Sequence, residues 1–584
     1  MRNCLFLLLI SFLLSACVQK SFVKPPNVII ILTDDQGWGD LSCNGNTNLH
    51  TPNIDKLATR GITFKRFYVC PVCSPTRAEI LTGRYHVRSG VWSTSTGGER
   101  IDTDETTIAE LFKAAGYATA AYGKWHNGIQ APYHPNSRGF DDFYGFCSGH
   151  WGNYHSPMLE HNGEIVQGNG FIIDDFTNHG LNFIEQNKNK PFFLFLPFNT
   201  PHSPMQVPQK YWNRFKNKKL ELFYHSPEKE AVDFTRAALA MCENIDWNVG
   251  RITDKLEELQ LTENTIVVFL SDNGPNAWRW NDGMKGKKGS TDEGGVRSPM
   301  IITWESKLKG NTNINTIAGG IDLLPTLIDL AKIETIHTKP LDGVSLKPLL
   351  YNENPQWPNR NIFSYWNGQT SLRNQQFRLD ADNKLFDMKN DPGQTLNVAD
   401  SFPDIHNQLV TAKNNWNLQV LSELDADSPR PFPIGHPSMP ITQLPARDGI
   451  GYGNITRSNK YPNSTYFTNW IATTDKITFD TEIIRSGNYE VELFYTCPQQ
   501  DVGSKLLLSC ERSTLKFQIN EAFESSLLDK DDIYPRMEGY VKAFHRKKIG
   551  RIYLEQGRNK LTLHATDIPG SQVMDFRLLL FRKI

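Results

Sequence analysis

The sequence predicts an α/β fold in which a mostly parallel sheet lies between helix layers, followed by a smaller α+β subdomain and a C-terminal β-sandwich. Three observations lead to this prediction. Near-continuous apolar runs alternate with helical patterns early in the chain, as expected for strands covered on both faces. Later the strands become shorter, and beyond a proline-rich segment apolar and polar residues alternate with period two. The length of 584 residues also exceeds what one hydrophobic core usually organises.

The first predicted domain covers residues 27–335. Its core strands are the apolar runs NVIIILT, PFFLFLPF and TIVVFLS. Helical segments separate these runs, and the longest segment carries its apolar residues on one face of an amphipathic helix. These residues are Ile245, Val249, Ile252, Leu256 and Leu259. The alternation of strands and helices predicts the sheet between two helix layers.

The remainder of the chain divides into two predicted units. A smaller subdomain is expected over residues 336–430, where short strands precede a polar helical segment. The segment SELDADSPRPFPIGHPSMP is typical of a linker. It leads into residues 431–584, which combine the end of the linker with the β-sandwich. Alternating apolar positions such as Tyr489, Val491 and Leu493 predict the strands of that sandwich.

The role of the sandwich stays open at this stage between carbohydrate binding and a structural cap. Four aromatic side chains could stack on sugar faces, but aromatics in a small β domain more often fill its core. They are Tyr452, Tyr461, Tyr466 and Trp470.

Composition excludes several classes of protein. The 62 Lys and Arg residues balance 63 Asp and Glu residues, for a net charge of -1, which provides no global attraction for nucleic acid. A polytopic membrane protein is excluded because the one apolar run of concern lies at the N-terminus. The nine cysteines are too sparse for a disulfide scaffold. Cys497 and Cys510 are expected either to pair across a hairpin or to remain buried thiols.

The N-terminus has the architecture of an export signal. In residues 1–16, Arg2 precedes a short apolar stretch that ends in small residues. The sequence Leu-Ser-Ala-Cys that ends at Cys17 resembles the bacterial lipoprotein box. This resemblance implies cleavage before Cys17, S-diacylglycerol on its thiol, N-palmitoylation and anchoring at the bacterial cell envelope. Residues 17–26 would then be a tether, and the alternative is a soluble secreted or periplasmic product.

Two predicted strands end in polar pairs. NVIIILT runs into Asp34 and Asp35, and TIVVFLS runs into Asp272 and Asn273. In open α/β sheets, ligands gather beyond the carboxyl ends of the strands, and converging carboxylates there cannot remain unpaired. A hard cation would satisfy them, Ca²⁺ more readily than Mg²⁺. Each pair alone would more often be a helix cap or a turn.

Cys73 lies in the segment CSPTRAEILTGR, where a loop is expected to enter a helix at Pro75. From these residues alone, Cys73 could be a nucleophilic thiolate or an inert buried thiol. The pattern Cys-x-Pro-x-Arg followed by Leu-Thr-Gly-Arg resembles the signature of the type I, formylglycine-dependent sulfatases of the alkaline phosphatase-like superfamily. The resemblance extends through most of residues 27–400, with Thr76 standing where serine is commoner.

The resemblance implies a modified residue and a metal site. A formylglycine-generating enzyme would oxidise Cys73 to formylglycine (3-oxoalanine), and one Ca²⁺ would bind beside it. The implied calcium ligands are Asp34, Asp35, residue 73, Asp272 and Asn273. Matching motifs also supply the implied catalytic residues, which are Cys73, Arg77, Lys124, His126, His202 and Lys288.

The resemblance also implies how these residues act. The hydrated aldehyde at residue 73 offers two hydroxyl groups, one to attack sulfur and one to expel the bound sulfate afterwards. Arg77 would hold residue 73, Lys124 would bridge it to the sulfate, and Lys288 would add positive charge. We expect His202 to protonate the leaving oxygen and His126 to deprotonate the remaining hydroxyl.

The expected function is therefore hydrolysis of sulfate monoesters on a sulfated carbohydrate such as ulvan, carrageenan or a glycosaminoglycan. One alternative is a phosphoester or phosphonate hydrolase of the same superfamily. The other is a glycan-binding lipoprotein without catalytic activity.

Overall fold

The computed structural model describes residues 24–334, 339–353, 357–426 and 428–584. The expected signal peptide, the lipidation site Cys17 and most of the tether lie outside the described residues. Within the described ranges, no helix has both the length and the apolar character needed to cross a membrane.

Ten α-helices lie in the described ranges. They are α1 (Pro52–Arg60), α2 (Cys73–Thr82), α3 (Ile108–Ala114), α4 (Ile172–Asn187), α5 (Gln209–Phe215), α6 (Val232–Glu258), α7 (Glu293–Val296), α8 (Leu323–Ala331), α9 (Lys347–Leu350) and α10 (Pro403–Val420).

The first domain contains thirteen strands among the described residues. They are β1 (Asn27–Asp34), β2 (Ile62–Phe64), β3 (Phe67–Tyr68), β4 (Ala118–Lys124), β5 (Asp142–Phe146), β6 (Met158–His161), β7 (Glu164–Gln167), β8 (Phe192–Pro201), β9 (Thr265–Ser271), β10 (Arg297–Ser298), β11 (Met300–Thr303), β12 (Thr312–Ile314) and β13 (Ala318–Gly319).

The central sheet has ten strands in the order β12-β2-β11-β9-β1-β8-β4-β5-β6-β7. The three strands predicted from apolar runs, β1, β8 and β9, lie side by side at its centre, pair in parallel and are buried along their whole length. Strands β4 and β5 continue the parallel part, whereas β6 pairs antiparallel with β5 and β7, and β11 pairs antiparallel with β9. The predicted mostly parallel sheet is therefore confirmed.

Helices cover both faces of this sheet and enclose one hydrophobic core on each side. Helices α2, α3 and α8 contribute to one core, and α1, α4, α5 and α6 contribute to the other. The predicted amphipathic face lies on α6, where Ile245, Val249, Ile252 and Leu256 are buried. Leu259 follows the last residue of α6 and packs, partly buried, against the same core.

A smaller antiparallel sheet follows, formed by β14 (Ile362–Trp366), β15 (Gln369–Arg373), β16 (Phe377–Leu379) and β17 (Leu385–Asp387). Helix α10 packs on it through Leu409. A buried ion cluster joins this sheet to the first domain. Glu293 Oε2 lies 2.9 Å from Arg378 Nη2 and 3.6 Å from Arg373 Nε, and Glu293 Oε1 accepts a hydrogen bond from Tyr68 at 2.9 Å.

The C-terminal strands are β18 (Phe432–Ile434), β19 (Ile441–Pro445), β20 (Ile450–Tyr452), β21 (Thr456–Arg457), β22 (Phe467–Thr468), β23 (Lys476–Ile483), β24 (Gly487–Thr496), β25 (Lys505–Cys510), β26 (Ser513–Gln518), β27 (His545–Leu554), β28 (Gly557–Asp567) and β29 (Asp575–Lys583). They form two six-stranded sheets that enclose a shared core, which confirms the expected β-sandwich. The proline-rich linker is not wholly irregular, because β18 pairs with β23.

The structure shows which cysteines and aromatic residues of the sandwich are free or buried, a question that the sequence left open. Cys497 and Cys510 are free thiols. Trp470 is a core residue at 1% exposure, whereas Tyr452 and Tyr461 are exposed at 40% and 41%. Aromatic content alone could not make this distinction, because it depends on which side of each loop faces the core.

We predict that replacing Glu293 with glutamine destabilises the protein by about 3–5 kcal/mol, because the substitution leaves Arg373 and Arg378 buried without their counter-charge. Although burial raises the pKa of Glu293, the arginines outweigh it and lower that pKa to about 2 from 4.5. The ionised form therefore adds stability above about pH 4.5, and this stability is lost as the pH falls towards 2. Urea denaturation measures both effects.

The matched control is Glu257→Gln, which removes an exposed pair with Arg60 and should cost less than about 1 kcal/mol. Equal losses for the two variants would contradict the structural role given to Glu293.

Candidate active site

The acidic residues predicted from the strand ends meet at one edge of the central sheet. The parallel register places Thr33 beside Ser271, so the residues that follow β1 and β9 become neighbours. Asp272 Oδ1 accepts a hydrogen bond from the backbone N–H of Asp35 at 3.1 Å, and Asn273 Nδ2 donates to Asp35 Oδ1 at 2.8 Å. All four side chains of this acidic cluster, Asp34, Asp35, Asp272 and Asn273, are at most 1% exposed.

The acidic cluster has spare ligand atoms for a cation. Asp34 Oδ1, Asp35 Oδ2 and Asn273 Oδ1 are buried and have no hydrogen-bond partner among the described residues. Ligand atoms of Asp34, Cys73 and Asp272 lie within 4.8 Å of one another. Buried, unpartnered oxygens of this kind are costly unless a cation or a donor satisfies them, and oxygen ligands suit Ca²⁺. These residues therefore fit a calcium ion.

Cys73 lies against this cluster at the first residue of α2, two residues before the expected helix start at Pro75. Its side chain is 3% exposed. Burial raises the pKa of the Cys73 thiol, although Lys124 and Lys288 lie nearby. An unmodified Cys73 would therefore be a protonated thiol, which does not favour the interpretation as a thiolate nucleophile.

Two residues of the cysteine motif anchor α2 to the acidic cluster. Arg77 Nη2 lies 2.8 Å from Asp272 Oδ2, and Arg77 Nη1 donates to the Lys124 backbone carbonyl at 2.6 Å. Thr76 Oγ1 accepts from the Cys70 N–H at 2.9 Å and donates to the Asp272 carbonyl at 2.6 Å. The hydroxyl of Thr76 makes these bonds, and a serine at this position would carry the same group.

Two lysines complete the positive charge of the site, Lys124 fully buried and Lys288 with a side chain that is 21% exposed. Lys124 Nζ lies 2.7 Å from Asp34 Oδ2, and Lys288 Nζ lies 2.6 Å from Asp35 Oδ1. With the Arg77–Asp272 pair, three cations therefore face three carboxylates. Burial alone would raise the pKa of Asp34, but Lys124 and the other cations hold it well below its usual range.

The two predicted histidines present one ring nitrogen each to the site. His126 Nε2 contacts the Thr94 carbonyl at 2.9 Å, so this nitrogen carries the proton and Nδ1, which has no partner among the described residues, is the basic atom. His202 Nδ1 contacts the Ser203 carbonyl at 2.7 Å, and its Nε2 lies 3.6 Å from Asp35 Oδ2. Burial and then the Lys124 charge hold the pKa of His126 well below its usual range.

The backbone at two of these residues is strained. Asp35 and His126 both have φ of +67°, in the left-handed region that side chains other than glycine rarely adopt. Such conformations cost about 1–3 kcal/mol each and persist where surrounding contacts impose them. In addition, a Cβ on Gly149 would lie 2.2 Å from His126 Nε2, so glycine is needed there for the ring to fit.

These groups open into a cavity of about 310 Å³. Its lining contains Asp35, Cys73, His126, His202 and Lys288 together with residues that the sequence motifs did not indicate. The latter are His150, Trp366, Asn463, Met537 and Glu538, with Tyr461, which the sequence indicated only as an aromatic residue of the sandwich. No sequence signal connects His150 with Glu538, because only the tertiary fold brings them together.

The fold and this site are those of a class of enzymes that bind an anionic substrate at the carboxyl edge of a mostly parallel sheet. Within that class, residues 26–333 match the family model described as Sulfatase. Residues 283–414 match the model of the N-sulphoglucosamine sulphohydrolase C-terminal region. The chain therefore belongs to the sulfatase family and is a sulfuric ester hydrolase.

Individual relatives agree with this assignment. The chain is 30% identical to mouse N-acetylgalactosamine-6-sulfatase over 385 residues, which cover 60% of this chain and 70% of that protein. It is 30% identical to rat arylsulfatase G, with 56% and 69% covered. The solved structure of Ps i-CgsB in complex with k-i-k-neocarrahexaose is 31% identical, with a TM-score of 0.62 over 69% of this chain and 95% of that one.

We predict that calcium stabilises the folded protein independently of turnover. Protein stripped with EGTA should melt at a lower temperature and recover when CaCl₂ is added, because the cation would coordinate the buried oxygens that lack a hydrogen-bond partner. At a free Ca²⁺ concentration one hundred times its dissociation constant, binding should add about 2.7 kcal/mol to the free energy of unfolding. Differential scanning calorimetry measures the shift.

The calcium-dependent shift should be lost in Asp35→Asn and retained in Glu257→Asn, whose exposed carboxylate lies outside the site. If wild-type protein melted at the same temperature with and without calcium, the metal assignment would be wrong.

Proposed function

We propose that this sulfatase removes sulfate from a sulfated carbohydrate, with Ca²⁺ at the acidic cluster and formylglycine at residue 73. The observation that carries the proposal is that the carboxylates paired with Arg77, Lys124 and Lys288 meet beside residue 73, which lines an open cavity. The names of relatives such as N-acetylgalactosamine-6-sulfatase and the neocarrahexaose complex support a sugar substrate.

The charge arrangement suits an anionic ester. When present, the calcium ion would supply positive charge to sulfate oxygens and the hydrated aldehyde would supply the attacking oxygen. Lys124 and Lys288 would bind the remaining sulfate oxygens inside the buried site, where their charge acts strongly. Arg77 would hold residue 73 in place from its position in the buried ion pair with Asp272.

The two histidines would each carry out one of the proton transfers. His202 would act as an imidazolium, with Nδ1–H held by the Ser203 carbonyl and the second proton passing from Nε2 to the departing sugar oxygen. His126 would accept a proton at Nδ1, since its Nε2 is engaged with the Thr94 carbonyl. The base requires the neutral imidazole and the acid requires the imidazolium, and histidine can supply either form.

Export and anchoring complete the proposal. We infer that residues 1–16 are removed, that Cys17 is lipidated, and that the enzyme acts at the bacterial cell envelope after maturation by a formylglycine-generating enzyme. The apolar N-terminal run and the Leu-Ser-Ala-Cys sequence support this inference.

We predict that the matured enzyme releases sulfate from sulfated oligosaccharides of the carrageenan, ulvan or glycosaminoglycan type. It should also cleave 4-nitrophenyl sulfate with a higher kcat/KM than 4-nitrophenyl phosphate. Ion chromatography measures the released anions. A clear preference for the phosphate ester would instead favour a phosphoester hydrolase.

His202→Asn provides the internal control for the mechanism. It should lower kcat on a sugar sulfate by about 10²–10⁴-fold, the usual contribution of a general acid. The loss should be smaller on 4-nitrophenyl sulfate, because nitrophenolate leaves without a proton. Equal losses on both esters would contradict the assignment of His202 as the acid.

A further inference from the structure

The C-terminal sandwich reaches into the active-site cavity. Two of its connecting segments line that cavity, one between β21 and β22 with Tyr461 and Asn463, the other between β26 and β27 with Met537 and Glu538. The two family matches end at residues 333 and 414, so all four residues lie outside them. The sandwich therefore forms part of the wall of a site whose chemistry belongs to another domain.

Glu538 lies beside the predicted acid of the reaction. Its Oε2 accepts a hydrogen bond from Ser203 Oγ at 2.9 Å, and its carboxylate lies within 4.8 Å of ring nitrogens of His150 and His202. The same segment is held in place by Arg536, whose Nη1 donates to the Gly152 carbonyl at 2.6 Å. Glu538 is therefore a positioned carboxylate and not the tip of a free loop.

His150 is the second unexplained group at this wall. It is 4% exposed, and neither ring nitrogen has a hydrogen-bond partner among the described residues. A buried imidazole without partners is costly unless a ligand or water supplies them. Its ring centre lies 5.7 Å from that of His202, and both rings line the cavity.

Asn463, in the segment between β21 and β22, shares a hydrogen-bond partner with His126, the predicted base. Its Oδ1 accepts from Arg447 Nη1 at 2.7 Å and from Ser148 Oγ at 3.0 Å. Its Nδ2 donates to the Thr94 carbonyl at 3.2 Å, which is also the partner of His126 Nε2. Arg447 in turn forms a buried ion pair with Glu99 of the first domain, so buried polar contacts join the two domains at the site.

The neighbours of His202 indicate which part of the substrate would contact this wall. If the sulfate lies at residue 73 and its ester oxygen faces His202, the sugar ring must lie beyond His202. His150 and Glu538 are neighbours of His202 in the lining of this cavity, and the exposed ring of Tyr461 lines the same cavity. Carboxylate and imidazole acceptors suit sugar hydroxyls, and an aromatic face suits a sugar ring.

We propose that Glu538, His150 and Tyr461 form the subsite for the sugar ring that carries the scissile sulfate. Ring hydroxyls would donate to Glu538 and His150, and the ring would pack on Tyr461. A second sulfate next to the scissile one is disfavoured, because it would meet the Glu538 carboxylate. This proposal rests on the proposed function, and it makes the C-terminal sandwich a specificity-determining part of the enzyme.

The test compares two substrates in the full-length, matured enzyme. One is 4-nitrophenyl sulfate, which has no sugar, and the other is the best substrate from a panel of carrageenan, ulvan, chondroitin and heparin oligosaccharides. Glu538→Gln keeps the shape and the Ser203 contact but removes the charge, and Tyr461→Ala removes the aromatic face. The matched control is Tyr553→Ala, a 50% exposed residue of the same sandwich outside the cavity lining.

We predict that Glu538→Gln and Tyr461→Ala each lower kcat/KM on the oligosaccharide at least about tenfold more than on the aryl sulfate. The change should appear mainly as a higher KM, because each variant loses a contact to the sugar, either a charge-assisted hydrogen bond or a packing face. Tyr553→Ala should leave the ratio of the two values unchanged. Glu538→Gln should also reduce the preference for a monosulfated over a vicinally disulfated disaccharide.

Equal losses on both substrates, accompanied by a lower melting temperature, would show a purely structural role and overturn the subsite. Unchanged ratios in both variants would overturn it as well. Wild-type enzyme that cleaves the aryl sulfate but none of the oligosaccharides would refute the carbohydrate substrate and the subsite with it. Wild-type enzyme with converted residue 73 that cleaves neither ester would refute the proposed function itself.

Discussion

The balance of buried charge around residue 73 is the constraint on which the rest of the site depends. Three carboxylates beyond β1 and β9 face three cations, in the pairs Asp34–Lys124, Asp35–Lys288 and Asp272–Arg77. Charges this deeply buried are tolerated only when each has a partner. Because these six groups already neutralise one another, the charge of a bound calcium ion would be in excess, and the site would then attract an anionic ester.

The strands and site residues that could be predicted from sequence are those that a local pattern of residues indicates. The run from Asn27 to Asp34 is apolar throughout, so its burial on both faces and its polar end could both be inferred. The cysteine motif likewise indicated Cys73 and Arg77, and the structure places them together with the acidic cluster. Their catalytic roles remain predictions, since they rest on the family resemblance and not on a bound substrate.

The parts that could not be predicted depend on contacts between distant positions. Ser203 and Glu538 are 335 residues apart in the chain, and no local pattern marks either as a partner. The sandwich could be interpreted from sequence as a cap or as a separate binding module. The contacts of Asn463 and Arg447 show that it is joined to the first domain by buried polar groups beside the cavity, which no local pattern indicated.

The central claim is that residue 73 acts as formylglycine beside the three carboxylate–cation pairs. Mass spectrometry of the peptide containing residue 73, from protein purified with sulfatase activity, tests it most directly. The account predicts an aldehyde or its hydrate in proportion to specific activity. A fully active enzyme in which this peptide carries only the unmodified Cys73 thiol would contradict it.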